Sequence, residues 1–540
     1  MSTRTAHLDP FAREQLAPEE QWPALDYNAL PELRDLEQLN AAVELLDRTI
    51  EHMGSDRVAI HFPGGHWTYS ELQRYANQIA QVLVHIYALK PGNRVLLRGP
   101  NNPMMVDCWL AVLKAGGIVV CTMPLLRARE LRYILNHAQV NLAITDARLE
   151  EELEQAVAQT NRDIPIVRFG NAELEAEMHQ QPDDFEAIET APTDIAIIAY
   201  TSGTTGNAKG TVHFHRDLIA VCDTWSKHVL RPEPDDMFCG SPPLAFTYGL
   251  GGLVLFPFRV GASTLLVEQT APPQLLEAIA RHRPTIIFTS PTGYRAMLPR
   301  LGEFDVSSLR KCVSAGETLP LSTFRAWQDA TGVDIIDGIG ATELLHIFIS
   351  SSGADIRPGS TGKVVFGYKA RVVGEDMREV PHGTIGKLAV QGPTGCRYLA
   401  NPELQAVYVR DGWNLTGDAY VQDEDGYFWY QARADDMIIS SGYNISGPEI
   451  ENVLLEHPSV LECGVVGAPD EERGQIVKAF IVLKPGVEAA DSLKQQLQDY
   501  VKSQIAPYKY PRSIEFVDAL PRTNTGKLQR FRLRETGAPA

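Results

Sequence analysis

Basic residues are in short supply in this chain: 49 lysines and arginines stand against 68 aspartates and glutamates, a formal net charge of −19 over 540 residues. A surface of that sign repels polyanions, which excludes a general nucleic-acid binder or a protein held on anionic membranes by charge. Any anionic ligand must therefore be gripped by local groups. Cysteine is also sparse: the seven, at 108, 121, 222, 239, 312, 396 and 463, are scattered, odd in number and never spaced as a CxxC pair. A reduced, cytoplasmic setting is expected, with the thiols serving as small buried apolar side chains rather than in metal binding or catalysis. Long apolar runs are missing too. The amino terminus has no core of signal-peptide length, and charges or turn signals interrupt every extended apolar stretch, so neither export nor a membrane span is expected. Internal repeats and low-complexity tracts are absent. What remains, 44% hydrophobic and 22% charged residues, describes an ordinary soluble protein long enough to fold as several units.

The most informative segment is Tyr200-Thr201-Ser202-Gly203-Thr204-Thr205-Gly206-Asn207-Ala208-Lys209-Gly210, which follows the apolar run Ile195-Ala196-Ile197-Ile198-Ala199. The run reads as a buried strand, and Gly203 and Gly206 permit a tight turn whose backbone N–H groups converge on an anion. Thr201, Ser202, Thr204 and Thr205 add hydroxyl donors, and Lys209 adds a mobile positive charge. A nucleoside triphosphate is the natural occupant. The usual P-loop spacing is not met: only two residues separate Gly203 from Gly206, and Gly210 stands after Lys209 where a magnesium-binding hydroxyl would be needed. GTPase and kinase-type folds lose their weight accordingly.

Strands alternate with helices in the first half. Thr68 and Glu71 fit a capping box, with Leu72, Ala76, Ile79, Ala80 and Leu83 following at helical spacing. A strand is expected at 95–97, a helix at 104–114 and a strand at 118–121. Residues 1–40 read as an irregular arm over the surface, and the acidic stretch 148–192 as a solvated helix and a linker. From 360 to 430 the pattern changes to short strands and turns, a β-rich subdomain, and after Arg433 a compact αβ segment has the size of a small separate domain. The fold class expected is α/β: a large N-terminal domain of mixed sheets covered by helices with a β-rich subdomain, over 1–432, and a small mobile C-terminal α+β domain over 433–540.

Four further segments carry chemistry. Asp337-Gly338-Ile339-Gly340-Ala341-Thr342-Glu343 offers a carboxylate, Glu343, suited to Mg2+ beside a triphosphate; read alone it also fits a loop closing a helix. Thr416-Gly417-Asp418 presents a carboxylate that suits a ribose diol, or is a plain turn. Arg433-Ala434-Asp435-Asp436 could be a hinge or a solvated linker, and Pro521-Arg522-Thr523-Asn524-Thr525-Gly526-Lys527 reads as a hairpin with a lysine at its tip.

Taken together, in order and approximate spacing, these motifs resemble the adenylate-forming acyl-CoA synthetase superfamily, from about residue 45 to about 533, and include Ser440-Ser441-Gly442-Tyr443 and Gly447-Pro448-Glu449-Ile450-Glu451. Segments 337–350 and 242–252 look like the benzoate-CoA ligase branch. Ala6-His7-Leu8-Asp9-Pro10-Phe11-Ala12-Arg13 and Val212-His213-Phe214-His215-Arg216-Asp217 most resemble 2-aminobenzoate-CoA ligases. The resemblance implies an acid–thiol ligase with two steps: a carboxylate displaces pyrophosphate from ATP to give acyl-AMP, and the thiol of coenzyme A then displaces AMP. It implies that Lys209 and the hydroxyl loop hold the β- and γ-phosphates, Thr342 and Glu343 the magnesium and α-phosphate, and Lys527 the carboxylate and bridging oxygens. Asp418 would bind the ribose, Arg433 its phosphate side, and Ser314, Gly316 and Glu317 with Asp337 and Gly338 would frame adenine. Rotation about Asp435 would then replace Lys527 by the turn at Gly442, where pantetheine passes close to the backbone. Two departures, Asn207-Ala208 before Lys209 and Gln431-Ala432 before Arg433, stand where the family commonly has proline and glycine; neither removes a charge or a donor.

A small aromatic carboxylic acid needs a flat apolar slot, for which Phe246, Tyr248, Ile339 and Gly340 are candidates, with Gly249 and Gly340 leaving room for the ring. Thr247, Tyr248 and His346 are candidates to meet an ortho amino group, His346 having as its alternative a core position satisfied by backbone. His213 and His215 are assigned to packing. The leading expectation is a 2-aminobenzoate-CoA ligase; benzoate or another substituted benzoate, loading of a carrier-protein thiol, and a non-catalytic nucleotide or acyl sensor are the alternatives. A homodimer is left open as the assembly.

Overall fold

The computed structural model describes residues 5–201, 208–433, 436–440, 443–470, 473–523 and 527–536. Two large sheets organise the N-terminal domain. The first has the order Ile166–Phe169, Leu142–Asp146, Arg94–Arg98, Ile118–Thr122, Ile195–Thr201, Lys209–Phe214, parallel throughout except for the last pair. Its central strands are buried along their whole length, as continuous apolar runs require when helices cover both faces. The helix Tyr69–His85 starts at the expected capping box: Thr68 and Glu71 exchange side-chain and backbone hydrogen bonds. The helix Pro103–Lys114 is capped by Asn102, whose side chain accepts from the Met105 N–H.

The second sheet is nine-stranded. Its parallel centre includes Met237–Gly240, Ile286–Thr289, Lys311–Ala315 and Ile335–Gly340, and the antiparallel strand Ile347–Ser350 flanks the last of these. An all-antiparallel sheet of Lys369–Val373, Gly386–Gln391, Val409–Arg410, Trp413–Gln422 and Phe428–Arg433 forms the β-rich part. The C-terminal domain packs helices Gly447–Glu456 and Asp491–Gln504 on the strands Val460–Asp470, Gly474–Leu483 and Ser513–Phe516 around a core of its own.

One expectation is borne out with an addition and one is corrected. Residues 5–40 do run over the surface with little regular structure, but they are pinned to it: Leu30, Leu33 and Leu39 are buried in the main core, and Asp9 pairs with the buried Arg94 at 2.6 Å. Apolar residues spaced among prolines and acids were enough to anchor them. The acidic stretch contains its solvated helix, Glu150–Ala158, but the linker also supplies the edge strand Ile166–Phe169 and the helix Glu173–Met178. The seven cysteines are unpaired and all but Cys121 are buried, and among the described residues no helix is long and apolar enough to cross a membrane.

Candidate active site

The strands end together at one cavity of about 2000 Å³, which opens where the two large sheets, the β-rich sheet and the C-terminal domain meet. Parallel strands bring their carboxyl ends, and the loops that follow them, to the same edge; ligands bind there in open α/β sheets. Thr201 and Lys209, at the facing ends of a hairpin, line the cavity. So do Gly316, Glu317, Asp337, Gly338, Ile339, Gly340, Thr342 and Glu343 from the second sheet, Asp418 and Arg433 from the β-rich sheet, and Lys527 from the C-terminal domain. Residues brought from positions 201 to 527 thus share one wall. Ser202, Gly203, Thr204, Thr205, Gly206, Asp435 and Gly442 lie outside the described residues.

Glu343 sits on a short turn, Thr342–Leu344, and its Oε1 accepts a 2.6 Å hydrogen bond from the Tyr398 hydroxyl. Burial and the neighbouring Glu343 charge both drive the Tyr398 pKa upward, so the phenol stays a donor. Asp418 is largely buried and Arg433 Nη1 donates to its Oδ1 at 3.2 Å and to the Thr416 carbonyl at 3.0 Å. Burial raises the Asp418 pKa, with Arg433 working against that rise. Gly417 adopts φ +77° directly beneath the guanidinium; a Cβ there would lie 2.6 Å from Arg433 Nη2. Asp337 is pushed up to about 8 by burial, with Ser314 and the Gly338 N–H opposing. Glu317 accepts from both the N–H and hydroxyl of Thr292 at the start of the helix Pro291–Met297. The Lys527 hairpin closes through Thr523, whose N–H donates to the Lys527 carbonyl at 2.8 Å.

Two predicted residues are not on the wall. Ser314 is fully buried within its strand, and the neighbouring Ala315 reaches the cavity instead. Gly249 is also off the cavity; a Cβ on it would lie 2.1 Å from the Pro243 carbonyl oxygen, so glycine is required by the 242–243 backbone and not by a ring. Gly340 does line the cavity, yet its own missing Cβ faces the His346 backbone at 2.8 Å.

The cavity wall also carries Phe246, Thr247, Tyr248, Ile339 and His346. The Tyr248 hydroxyl has the carbonyls of Thr289 and Val313 as acceptors, each at 3.2 Å, so its proton is committed to backbone. His346 is 3% exposed and ringed by Trp225, Tyr248 and Phe256 at centroid distances of 5.4, 5.8 and 4.6 Å. Neither imidazole nitrogen has a partner in good hydrogen-bond geometry, and the one group that reaches the ring is the Tyr248 backbone, which opposes the fall in its pKa. The expected alternative of a core histidine met by backbone thus keeps a basis on one nitrogen only. Burial drives its pKa down to about 3, which leaves a neutral ring with one donor and one acceptor nitrogen. The glycine that makes room here is Gly251: a Cβ on it would lie 2.4 Å from His346 Cδ2.

Residues 46–398 match the AMP-binding enzyme family and residues 449–527 the AMP-binding enzyme C-terminal domain. The chain belongs to the AMP-binding enzyme family. This AMP-binding enzyme is an adenylate-forming acid–thiol ligase of the benzoate-CoA ligase branch. It is 37% identical to the benzoate–CoA ligase of Thauera aromatica over 94% of this chain and 98% of that protein. It is 33% identical to the 3-hydroxybenzoate–CoA ligase of Aromatoleum sp. (strain CIB) over 92% and 97%. Its fold is similar to that of the anthranilate CoA ligase AuaEII crystallised with anthranoyl-AMP, with a TM-score of 0.89, 37% identity and coverage of 94% of this chain and 99% of that one.

Sequence reading missed Tyr398, Gly251 and the partners of His213. Tyr398 meets Glu343 across 55 residues, and His213 meets Thr342 across 129. No local motif announces either. The Gly251-Gly252 pair was a visible signal, but which ring its missing side chains admit is a tertiary fact.

Proposed function

We propose that this AMP-binding enzyme activates 2-aminobenzoate (anthranilate) with ATP and passes the aryl group to coenzyme A. The observation that carries the substrate choice is His346, a buried neutral imidazole on the wall of an aromatic slot, with no side-chain partner and only the Tyr248 backbone near one of its nitrogens. An ortho amino group would donate to its acceptor nitrogen, whereas unsubstituted benzoate leaves that nitrogen unsatisfied. A buried polar atom without a partner costs about 1–3 kcal/mol. The anthranilate ligase among the similar structures supports the reading; the 37% identity to a benzoate–CoA ligase favours benzoate as second choice.

In the adenylation step the residues divide the work by position. Lys209 and Thr201, with the hydroxyl loop between them, hold the terminal phosphates. Lys527, whose Cε would stand 3.9 Å from a Cβ on Gly316, neutralises the carboxylate and the α-phosphate as charge moves between them. Asp418 accepts from the ribose hydroxyls, Arg433 meets the ribose-phosphate side, and Gly316, Glu317, Asp337 and Gly338 border the base. The donor set suits Mg2+. Glu343 offers a hard carboxylate fixed at one oxygen by Tyr398, and among the described residues no group of three His, Cys, Asp or Glu forms a self-sufficient cage. Glu343 would therefore hold the ion jointly with phosphate oxygens, where it supplies charge neutralisation. The C-terminal domain, over about 433–540, then turns about Asp435 to bring Gly442 to the site for thioester formation.

A panel of benzoates assayed for ATP- and CoA-dependent AMP release tests the substrate. We expect 2-aminobenzoate to exceed benzoate in kcat/KM by about tenfold, a gap of about 1.4 kcal/mol in transition-state binding. Benzoate ranking first would overturn the choice of acid; thioester formation only with a carrier-protein thiol would overturn coenzyme A.

A further inference from the structure

We infer that His213 and Tyr398 are positioning residues for adenylation, two hands of one brace that fixes the Thr342–Glu343 turn relative to the strand bearing Lys209. This rests on the proposal that Thr342 and Glu343 serve the α-phosphate end of the site.

The turn needs holding. Leu345, which ends it, has φ +71° without being glycine, a conformation that persists only when its surroundings impose it. Three side chains do so. His213 Nε2 lies 2.7 Å from the Thr342 carbonyl; a carbonyl only accepts, so the ring carries its hydrogen on Nε2. The Tyr398 hydroxyl holds the Glu343 carboxylate at 2.6 Å, and the Thr394 hydroxyl donates to the Leu344 carbonyl at 2.7 Å. Successive residues of one turn are thus each tied from outside it.

The ties converge on a single segment. Thr394, Arg397 and Tyr398 belong to the stretch that pairs with the strand Lys209–Phe214: the Val212 N–H donates to the Arg397 carbonyl at 2.8 Å and the Leu399 N–H to the Gly210 carbonyl at 2.9 Å. His213 lies on that same strand. Behind it, Asp217 accepts from Arg397 Nη1 at 2.8 Å and from the Phe214 N–H at 3.0 Å, with both charged side chains fully buried. The Arg397 guanidinium also lies 3.9 Å over the Phe214 ring. Strand, stretch and turn therefore move as one body, which fixes Lys209 against Glu343. Groups that orient a ligating carboxylate matter to a site almost as much as the carboxylate.

The test uses full-length Glu343→Gln, Tyr398→Phe, His213→Leu and His213→Gln. Three readouts are taken: pyrophosphate release from acid and ATP, thioester formation from supplied aryl-AMP and CoA, and calorimetric binding of a non-hydrolysable ATP analogue with and without Mg2+. Glu343→Gln should lose pyrophosphate release; if it does not, the site assignment falls and the brace with it. Given that loss, Tyr398→Phe should lower the kcat of adenylation by about 10- to 100-fold, leave the KM for the acid and the thioester step essentially unchanged, and shrink the gain in nucleotide affinity from Mg2+. His213→Gln, which keeps an N–H donor, should recover most of what His213→Leu loses. Tyr398→Phe adenylating at the wild-type rate, or His213→Gln as slow as His213→Leu, overturns the inference while leaving the site intact. Should His213→Leu not fold, Tyr398→Phe alone decides.

Discussion

His346 concentrates the specificity argument in one ring, and its environment makes the argument testable by pH. Burial penalises the imidazolium, so the folded-state pKa lies near 3 against an ordinary 6.5. The stability gained by burying the neutral ring is therefore complete above about pH 6.5 and is lost as pH falls from there toward about 3. Between about pH 6 and pH 8 the ring does not titrate, and the kcat/KM ratio of 2-aminobenzoate to benzoate should stay flat; a break in that ratio with an apparent pKa near 6.5 would mean an accessible histidine. His346→Leu should cut the ratio by about tenfold, measured on the same two acids, because the amino donor then loses an acceptor worth about 1–3 kcal/mol. Gly251→Ala reaches the same ring from behind. Its Cβ would stand 2.4 Å from Cδ2 and 2.6 Å from Nε2 of an imidazole that three aromatic rings hem in. The ring has little freedom to retreat, so this substitution should also erode the preference for the amino acid substrate over benzoate while sparing ATP binding.

At the scale of elements, what could be read from sequence was what is written contiguously. The capping box at Thr68, the buried strand before the hydroxyl loop and the turn bearing Glu343 each lie within a few residues, and local physical chemistry suffices to place them; Thr416-Gly417-Asp418, which reads as a turn, instead lies inside the strand Trp413–Gln422, where Asp418 pairs with Arg433. Elements whose reason is tertiary were not legible in the same way. The strand Ile166–Phe169 is four residues in an acidic stretch and earns its place by pairing with Leu142–Asp146. Gly249 reads in sequence as room for a ring, whereas what excludes a side chain there is the Pro243 carbonyl, a neighbour only the fold reveals. The Asp217–Arg397 pair joins positions 180 apart, and it is the element-scale feature with the clearest energetic consequence. Burial alone would raise the Asp217 pKa, yet the Arg397 guanidinium holds it below the ordinary carboxylate value. Removing one partner leaves the other as an uncompensated buried charge, a loss of about 3–5 kcal/mol. Arg397→Met should therefore lower the unfolding free energy by that amount in urea titration, and the double variant Arg397→Met with Asp217→Leu should recover much of it.

On the scale of the whole molecule, the C-terminal domain closes one side of the cavity, with Glu449, Glu451, Arg522, Arg530 and Lys527 among its lining residues, and the polar contacts that seat it there are modest. Glu462 bridges Arg295 of the large domain at 3.0 Å and Arg522 of the Lys527 hairpin at 2.8 Å, and the Ser446 hydroxyl donates to the Gln431 carbonyl. Ion pairs as accessible as these contribute about 0–1 kcal/mol each, which suits the proposed rotation of the domain between half-reactions. In the proposed division of labour Lys527 differs in kind from these contacts, because its charge would act only while pyrophosphate is being displaced. Lys527→Ala should lower adenylation by about 100- to 1000-fold, the cost of losing one preorganised group at a developing charge, and leave thioester formation from supplied aryl-AMP largely intact. Pyrophosphate release and thioester formation, followed separately on the same preparation, check both halves. Equal loss in the two half-reactions would mean that Lys527 holds the C-terminal domain in place instead of serving one step, and the proposal that the cavity is shared in turn by a lysine tip and a thiol entrance would fail.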